Sequence, residues 1–219
     1  MKIAVFLAAV LQVLPCDARV LDLHSEIRIS KSGELMVTER LTLEGGEKSA
    51  ALERRLPREA RVRDVIRNGH PEKFVLDGER LRLGPGVVPE GRHLYQVTYR
   101  AARRIAFLGD HDALHWNLQG GERMTAEIIL PASVPARQIK TEASGADYQS
   151  LVRDGRAAFR SEAPLALVVR FPKGVITEPG IATRAHWLFS DYFGALLIFG
   201  LLVFTAWVLY LIRGQGAKA

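Results

Sequence analysis

The sequence predicts an all-β fold, an antiparallel, immunoglobulin-like β-sandwich that is exported and followed by one C-terminal transmembrane helix. Three observations predict it. Apolar and polar residues alternate with a period of two through much of positions 19–172. The alternating runs, about nine to eleven of them, are separated by Gly, Pro, Asp and Ser with no 3.6-residue period between them, as in an antiparallel sandwich or barrel. Finally, Tyr192 to Ile212 contains no charged residue.

In chain order, Met1-Lys2 and the apolar run Ile3 to Leu14 have the form of a signal peptide. The run covers about 18 Å as a helix, short of a bilayer core. Pro15 breaks it, and small residues at Cys16 and Ala18 place a cleavage after Ala18. Cleavage there removes the single cysteine of the 219 residues, and with it thiol chemistry. One cysteine in any case excludes an intramolecular disulfide and a Cys-x-x-Cys zinc site.

Leu21, Leu23, Ser25, Ile27 and Ile29 share one parity, as do Leu35, Val37, Glu39, Leu41 and Leu43. With Lys31-Ser32-Gly33 between them they form a half-buried hairpin. Strands follow at Val62 to Arg67 and on either side of Asp77-Gly78, a dipeptide that tolerates the positive φ of a tight turn. His93 to Arg100 alternates Tyr95, Val97 and Tyr99 with Gln96, Thr98 and Arg100. Further strands are expected at Leu114 to Leu118, Met124 to Leu130, Ile139 to Thr141, Ala157 to Arg160 and Leu165 to Phe171. The domain plan is a signal peptide over 1–18, a β-sandwich over 19–172, a connector over 173–186, a membrane helix over 187–212 and a cytoplasmic tail over 213–219.

The last apolar stretch is long enough to span about 30 Å, with Trp187, Tyr192, Trp207 and Tyr210 toward its ends. Arg213 and Lys218 follow it. The positive-inside rule then predicts a single-pass protein of the bacterial inner membrane, its N-terminal domain outside and its C-terminus cytoplasmic.

The run Asp110-His111-Asp112-Ala113-Leu114-His115-Trp116-Asn117-Leu118-Gln119-Gly120 resembles the Asp-Glu-Leu-Tyr-Trp-Asn-x-x-Gly signature of a bacterial predicted-membrane-protein family, domain of unknown function 2207. Supporting motifs occur in the same order: Gly-x-Leu-x-Val-x-Glu at Gly33 to Glu39, Leu56-Pro57-Arg58, Tyr95-x-Val-x-Tyr99 and Ile129-Leu130-Pro131. Ala113 stands where the family has Glu, and His115 where it has Tyr. Family members continue past the first span into further spans and a Gly-rich tail, so the resemblance implies the exported domain and first span alone. It supplies architecture and no catalytic residues.

Two groups are candidate binding residues. Asp110, Asp112, Trp116 and Asn117 belong to the family-like motif. In an extended strand His111 and His115 face one way while Asp110 and Asp112 face the other, which argues against a metal site. The second group is basic: Arg54, Arg55, Arg58, Arg61 and Arg63, a surface suited to anionic lipid or polymer. The formal charge of +6 fits such a partner, and an exported domain has no nucleic acid to meet. No Gly-x-Ser-x-Gly, His-Glu-x-x-His or phosphate loop is present. The reading is therefore a membrane-anchored interaction module, a scaffold or subunit of an envelope assembly, with no enzymatic activity and no cofactor. The alternatives are an envelope hydrolase or metal-binding protein using Asp110, Asp112 and His115, and an anionic-lipid binder through Arg54 to Arg67.

Overall fold

The computed structural model describes residues 18–46 and 50–216. The expected signal sequence and the Cys16 to Ala18 cleavage site lie, apart from Ala18, outside the described residues. The opening hairpin forms from β1 (Arg19–Ile29) and β2 (Leu35–Gly45), with Ile29 opposite Leu35 and Leu23 opposite Leu41. The parity read from the sequence is the parity buried: Leu23, Ser25, Ile27 and Ile29 face the core with Leu35, Val37, Glu39, Leu41 and Leu43. Gly33 makes the turn at φ +80°, a conformation that L side chains avoid.

Then come β3 (Ala50–Arg55), β4 (Arg61–Arg67), β5 (His70–Pro71), β6 (Phe74–Asp77), β7 (Arg80–Val87) and β8 (Gly91–Ala101). The second half supplies β9 (Ile105–Phe107), β10 (His111–Leu118), β11 (Arg123–Ile129), β12 (Lys140–Ser144), β13 (Tyr148–Arg153), β14 (Arg156–Ser161) and β15 (Leu165–Pro172). These strands build three sheets, in the orders β13-β14-β11-β1-β2-β8-β4-β5, β12-β15-β10-β9 and β3-β7-β6. One apolar cluster joins them, with Leu41, Tyr95 and Val97 from the large sheet, Trp116, Leu118 and Leu167 from the second, and Leu81 and Leu83 from the third.

The antiparallel immunoglobulin-like sandwich is corrected by this topology. β1 and β11 lie side by side and parallel, from Asp22 opposite Arg123 to Arg28 opposite Ile129. An immunoglobulin-like sandwich is two antiparallel sheets, whereas this domain is mostly β with a mixed eight-stranded sheet at its centre. The parallel register is pinned at its start by a two-pronged ion pair, Arg123 Nε to Asp22 Oδ1 at 2.6 Å and Arg123 Nη2 to Asp22 Oδ2 at 2.9 Å. That hydrogen bonding holds the Asp22 carboxyl below its ordinary range.

A second compact unit begins at Glu178, the first ending at Thr177. It holds helix α1 (Ile181–Gly216). The expected transmembrane helix is also corrected: among the described residues no helix is long and apolar enough to cross a membrane. The single-pass topology and the inner-membrane placement rested on that span and are withdrawn with it.

Candidate functional site

The two candidate groups read from the sequence meet in part. A cavity of about 270 Å³ in the first unit is lined by Arg54, Arg55 and Arg58 from the basic group and by Trp116 and Asn117 from the family-like motif. Arg104 completes the basic lining, with Glu39 and Glu79 as the acidic members. Arg61 and Arg63 are exposed on β4 and do not line it. The strip from Arg54 to Arg67 is thus divided between β3, the turn after it and β4.

The inner wall is a buried polar trio. Glu39 stands on the buried parity of β2 and is 4% exposed. The Tyr99 hydroxyl donates to Glu39 Oε1 at 3.0 Å, and Arg54 Nε lies 2.7 Å from Glu39 Oε2. The second contact has the distance of an ion pair without the alignment of a hydrogen bond. Arg54 Nη1 reaches the Gln119 carbonyl at 3.4 Å, across the turn that joins β10 and β11. Gly120, at φ +91° in that turn, comes so close that an added Cβ would stand 3.0 Å from Arg54 Nη1. The guanidinium is therefore held from two sides.

Burial, first, and the Glu39 carboxylate, second, push the Tyr99 phenol well above its ordinary value. An unfolded tyrosine ionises near pH 10, as the ordinary value of about 10 dictates. Tyr99's contribution to stability is present below that pH and lost as the pH climbs toward the higher folded value. We expect tyrosinate absorbance to rise with a final step that coincides with loss of the β circular dichroism. A Tyr99→Phe chain with an unchanged titration would contradict that assignment.

The outer wall is less neutralised. Arg55 pairs with Glu79 at 2.9 Å. Among the described residues neither Arg58 nor Arg104 has an ion-pair partner. Arg104 is delivered by an unusual turn between β8 and β9, in which Arg103 adopts φ +57° and pairs with Glu59 at 3.0 Å. A left-handed, long side chain costs about 1–3 kcal/mol and persists only where its surroundings hold it. The next strand then ties the turn down, the His115 N–H donating to the Arg104 carbonyl at 3.1 Å.

The acidic residues of the motif go elsewhere. Asp112 is fully buried, with Oδ1 2.8 Å from Lys173 Nζ, and that ammonium also stands 5.6 Å from the Phe107 ring centre. Asp110 is exposed and hydrogen-bonded to His111 Nδ1 at 2.6 Å, which lowers its carboxyl pKa. His115 and Asn117 face outward on β10 while Leu114, Trp116 and Leu118 face the core. Asp110, Asp112 and His115 are therefore not brought together. Among the described residues no group of three or more His, Cys, Asp or Glu could hold a metal ion.

Glu39 and Tyr99 were not singled out by the sequence reading as site residues. For Glu39 a signal existed: a carboxylate on the buried parity of a strand demands a buried partner. Tyr99 lies on the buried parity of β8, four residues from Tyr95. Arg104 stands in the sequence with Arg100 and Arg103 as a second basic cluster, but its place at the cavity depends on the Arg103 turn.

Comparison with protein-family models and with curated proteins gives no match. Among solved structures, yeast LTA4 hydrolase is similar at a TM-score of 0.51 and 14% identity, over 71% of this chain and 29% of that one. A second Saccharomyces cerevisiae leukotriene A4 hydrolase structure gives 0.49 and 14%, over 70% and 29%. The M1 zinc metallopeptidase from Deinococcus radiodurans gives 0.43 and 17%, over 70% and 42%. This chain thus spans less than half the length of each, and the likeness to the yeast hydrolase is one of fold.

Proposed function

We propose that this chain is a β-rich binding module that holds an acidic group of a substrate or partner in the arginine cavity, and that it serves hydrolytic chemistry by recognition. The observation that carries the reading is the convergence of Arg54, Arg55, Arg58 and Arg104 on one cavity, where Glu39 is already engaged by Tyr99 and Arg54. Arginine presents planar, paired donors that suit carboxylate and phosphate. The fold likeness to a hydrolase supports a role beside hydrolysis over that of a scaffold. Membership of the domain of unknown function 2207 family is part of the same proposal, resting on the order of motifs from Gly33 to Gly120.

Titration calorimetry with inorganic phosphate and with acetate tests the cavity. The full chain is expected to bind one or both, more weakly as salt rises. Arg58→Ala and Arg104→Ala should each weaken binding by about tenfold, the loss of one charge-assisted contact. Unchanged binding in both variants would remove the cavity from the reading. The second reading, a hydrolase, draws on the same fold likeness but not on Asp110, Asp112 and His115, which the fold does not bring together. It requires peptidase activity of the full chain, and no cleavage of a mixed peptide library would overturn it.

A further inference from the structure

The arginine cavity does not end at Arg55. Residues Arg54, Arg55 and Gln119 also line a second cavity of about 370 Å³, whose remaining walls are Leu52, Glu53, Gly120 and Pro164. Together the two run along β3, between that strand and the Gln119–Gly120 turn. Among the described residues β3 is the end strand of its sheet, hydrogen-bonded to β7. The Leu56 N–H donates to the Glu79 carbonyl at 2.7 Å, on the β7 side. Antiparallel alternation then directs the backbone groups of Arg54 and Leu52 to β7, and those of Glu53 and Arg55 away from it, to the open edge of the sheet. An unpaired strand edge of this kind is a template for another strand.

We propose that this groove takes the C-terminal end of an extended peptide, its last residues adding to β3 as a strand and its terminal carboxylate lying among Arg54, Arg58 and Arg104. The inference rests on the anion-binding reading of the cavity and names the ligand. Charge selects the occupant: the groove is edge-like at Glu53 and Arg55 and cationic at its Leu56 end, where Arg58 and Arg104 have no ion-pair partner among the described residues. Direction follows from that asymmetry. A strand whose carboxylate lies beyond Arg55 must run parallel to β3. Gln119 and Gly120 close the opposite side, so about four residues, some 13 Å of strand, fit beside the stretch from Leu52 to Arg55. A free phosphate or carboxylate would fill the cavity without using the strand edge.

The test uses the full chain and an N-terminally fluorescent peptide, Ala-Val-Thr-Val-Ala, as free acid and as C-terminal amide, read by anisotropy. The free acid is expected to bind at least about tenfold more tightly than the amide. Arg104→Ala should abolish that difference, and the exposed Arg58→Ala, which leaves the buried trio intact, should reduce it. N-methylation of single peptide amides should weaken binding only at alternate positions, those whose N–H faces β3. Equal binding of acid and amide overturns the proposal. If phosphate still binds, the cavity is an oxyanion site and the binding-module reading stands; if neither phosphate nor acetate binds, both readings fall. A uniform effect of N-methylation at every position overturns strand addition.

Discussion

Replacing Glu39 by alanine is expected to destabilise the fold by about 3–5 kcal/mol, the range for breaking a buried ion pair from one side. The carboxylate meets two polar groups that have no comparable substitute. Without it the Arg54 guanidinium keeps its charge in a site where its side chain is 11% exposed, and the Tyr99 hydroxyl loses its acceptor. A shift on the order of 10 °C in the thermal midpoint corresponds to such a loss in a chain of this size. The companion variant separates charge from packing. Glu39→Leu with Arg54→Met and Tyr99→Phe removes all three polar groups together and should be neutral or stabilising, since no orphan remains. Urea midpoints with unchanged slopes measure both. Additive effects of Glu39→Ala and Arg54→Met in a double-mutant cycle would show that the two side chains do not act as a pair.

Trp116→Ala is expected to cost about 3–5 kcal/mol, as for other large aromatic truncations in cores. Trp116 is 7% exposed, lies opposite Leu167 across β10 and β15, and packs in the common apolar cluster while lining the arginine cavity. Its neighbour Asn117 is exposed, and Asn117→Ala should stay within about 0.5 kcal/mol. Adjacent residues of one motif are thus expected to differ several-fold in consequence. Comparable midpoints for the two variants in thermal unfolding would contradict the inward placement of the indole.

The strands that alternate cleanly were legible. The β1–β2 hairpin, β8 with Tyr95, Val97 and Tyr99 inward, and the β6–β7 turn at Gly78 all follow from local pattern, because side-chain parity and turn chemistry are properties of neighbouring residues. β13 was missed: Tyr148–Arg153 is almost wholly exposed at a sheet edge, so it has no buried parity to display. β3 was missed because half of it is Glu53, Arg54 and Arg55, which read as charge rather than as strand. The parallel β1–β11 pairing was beyond reach, since nothing in either strand names its partner.

The site was half legible for the same reason. Arg54, Arg55, Arg58, Trp116 and Asn117 stood out by type and spacing, but their meeting depends on bringing β3 to the end of β10. Asp112 looked like a ligand and lies fully buried beside Lys173, where a carboxylate takes a structural place.

The β1–β11 ladder also sets an order of assembly. Asp22 and Arg123 are 101 residues apart, yet they are first neighbours at the centre of the largest sheet. β1 can fold back on β2 as soon as both have left the ribosome, but its other edge stays open until Ile129 has been made. Closing so long a loop is entropically costly before any contact repays it. The ladder with the longest wait for its partner is therefore an interior one, and until then a nascent chain carries an unsealed seam through its middle.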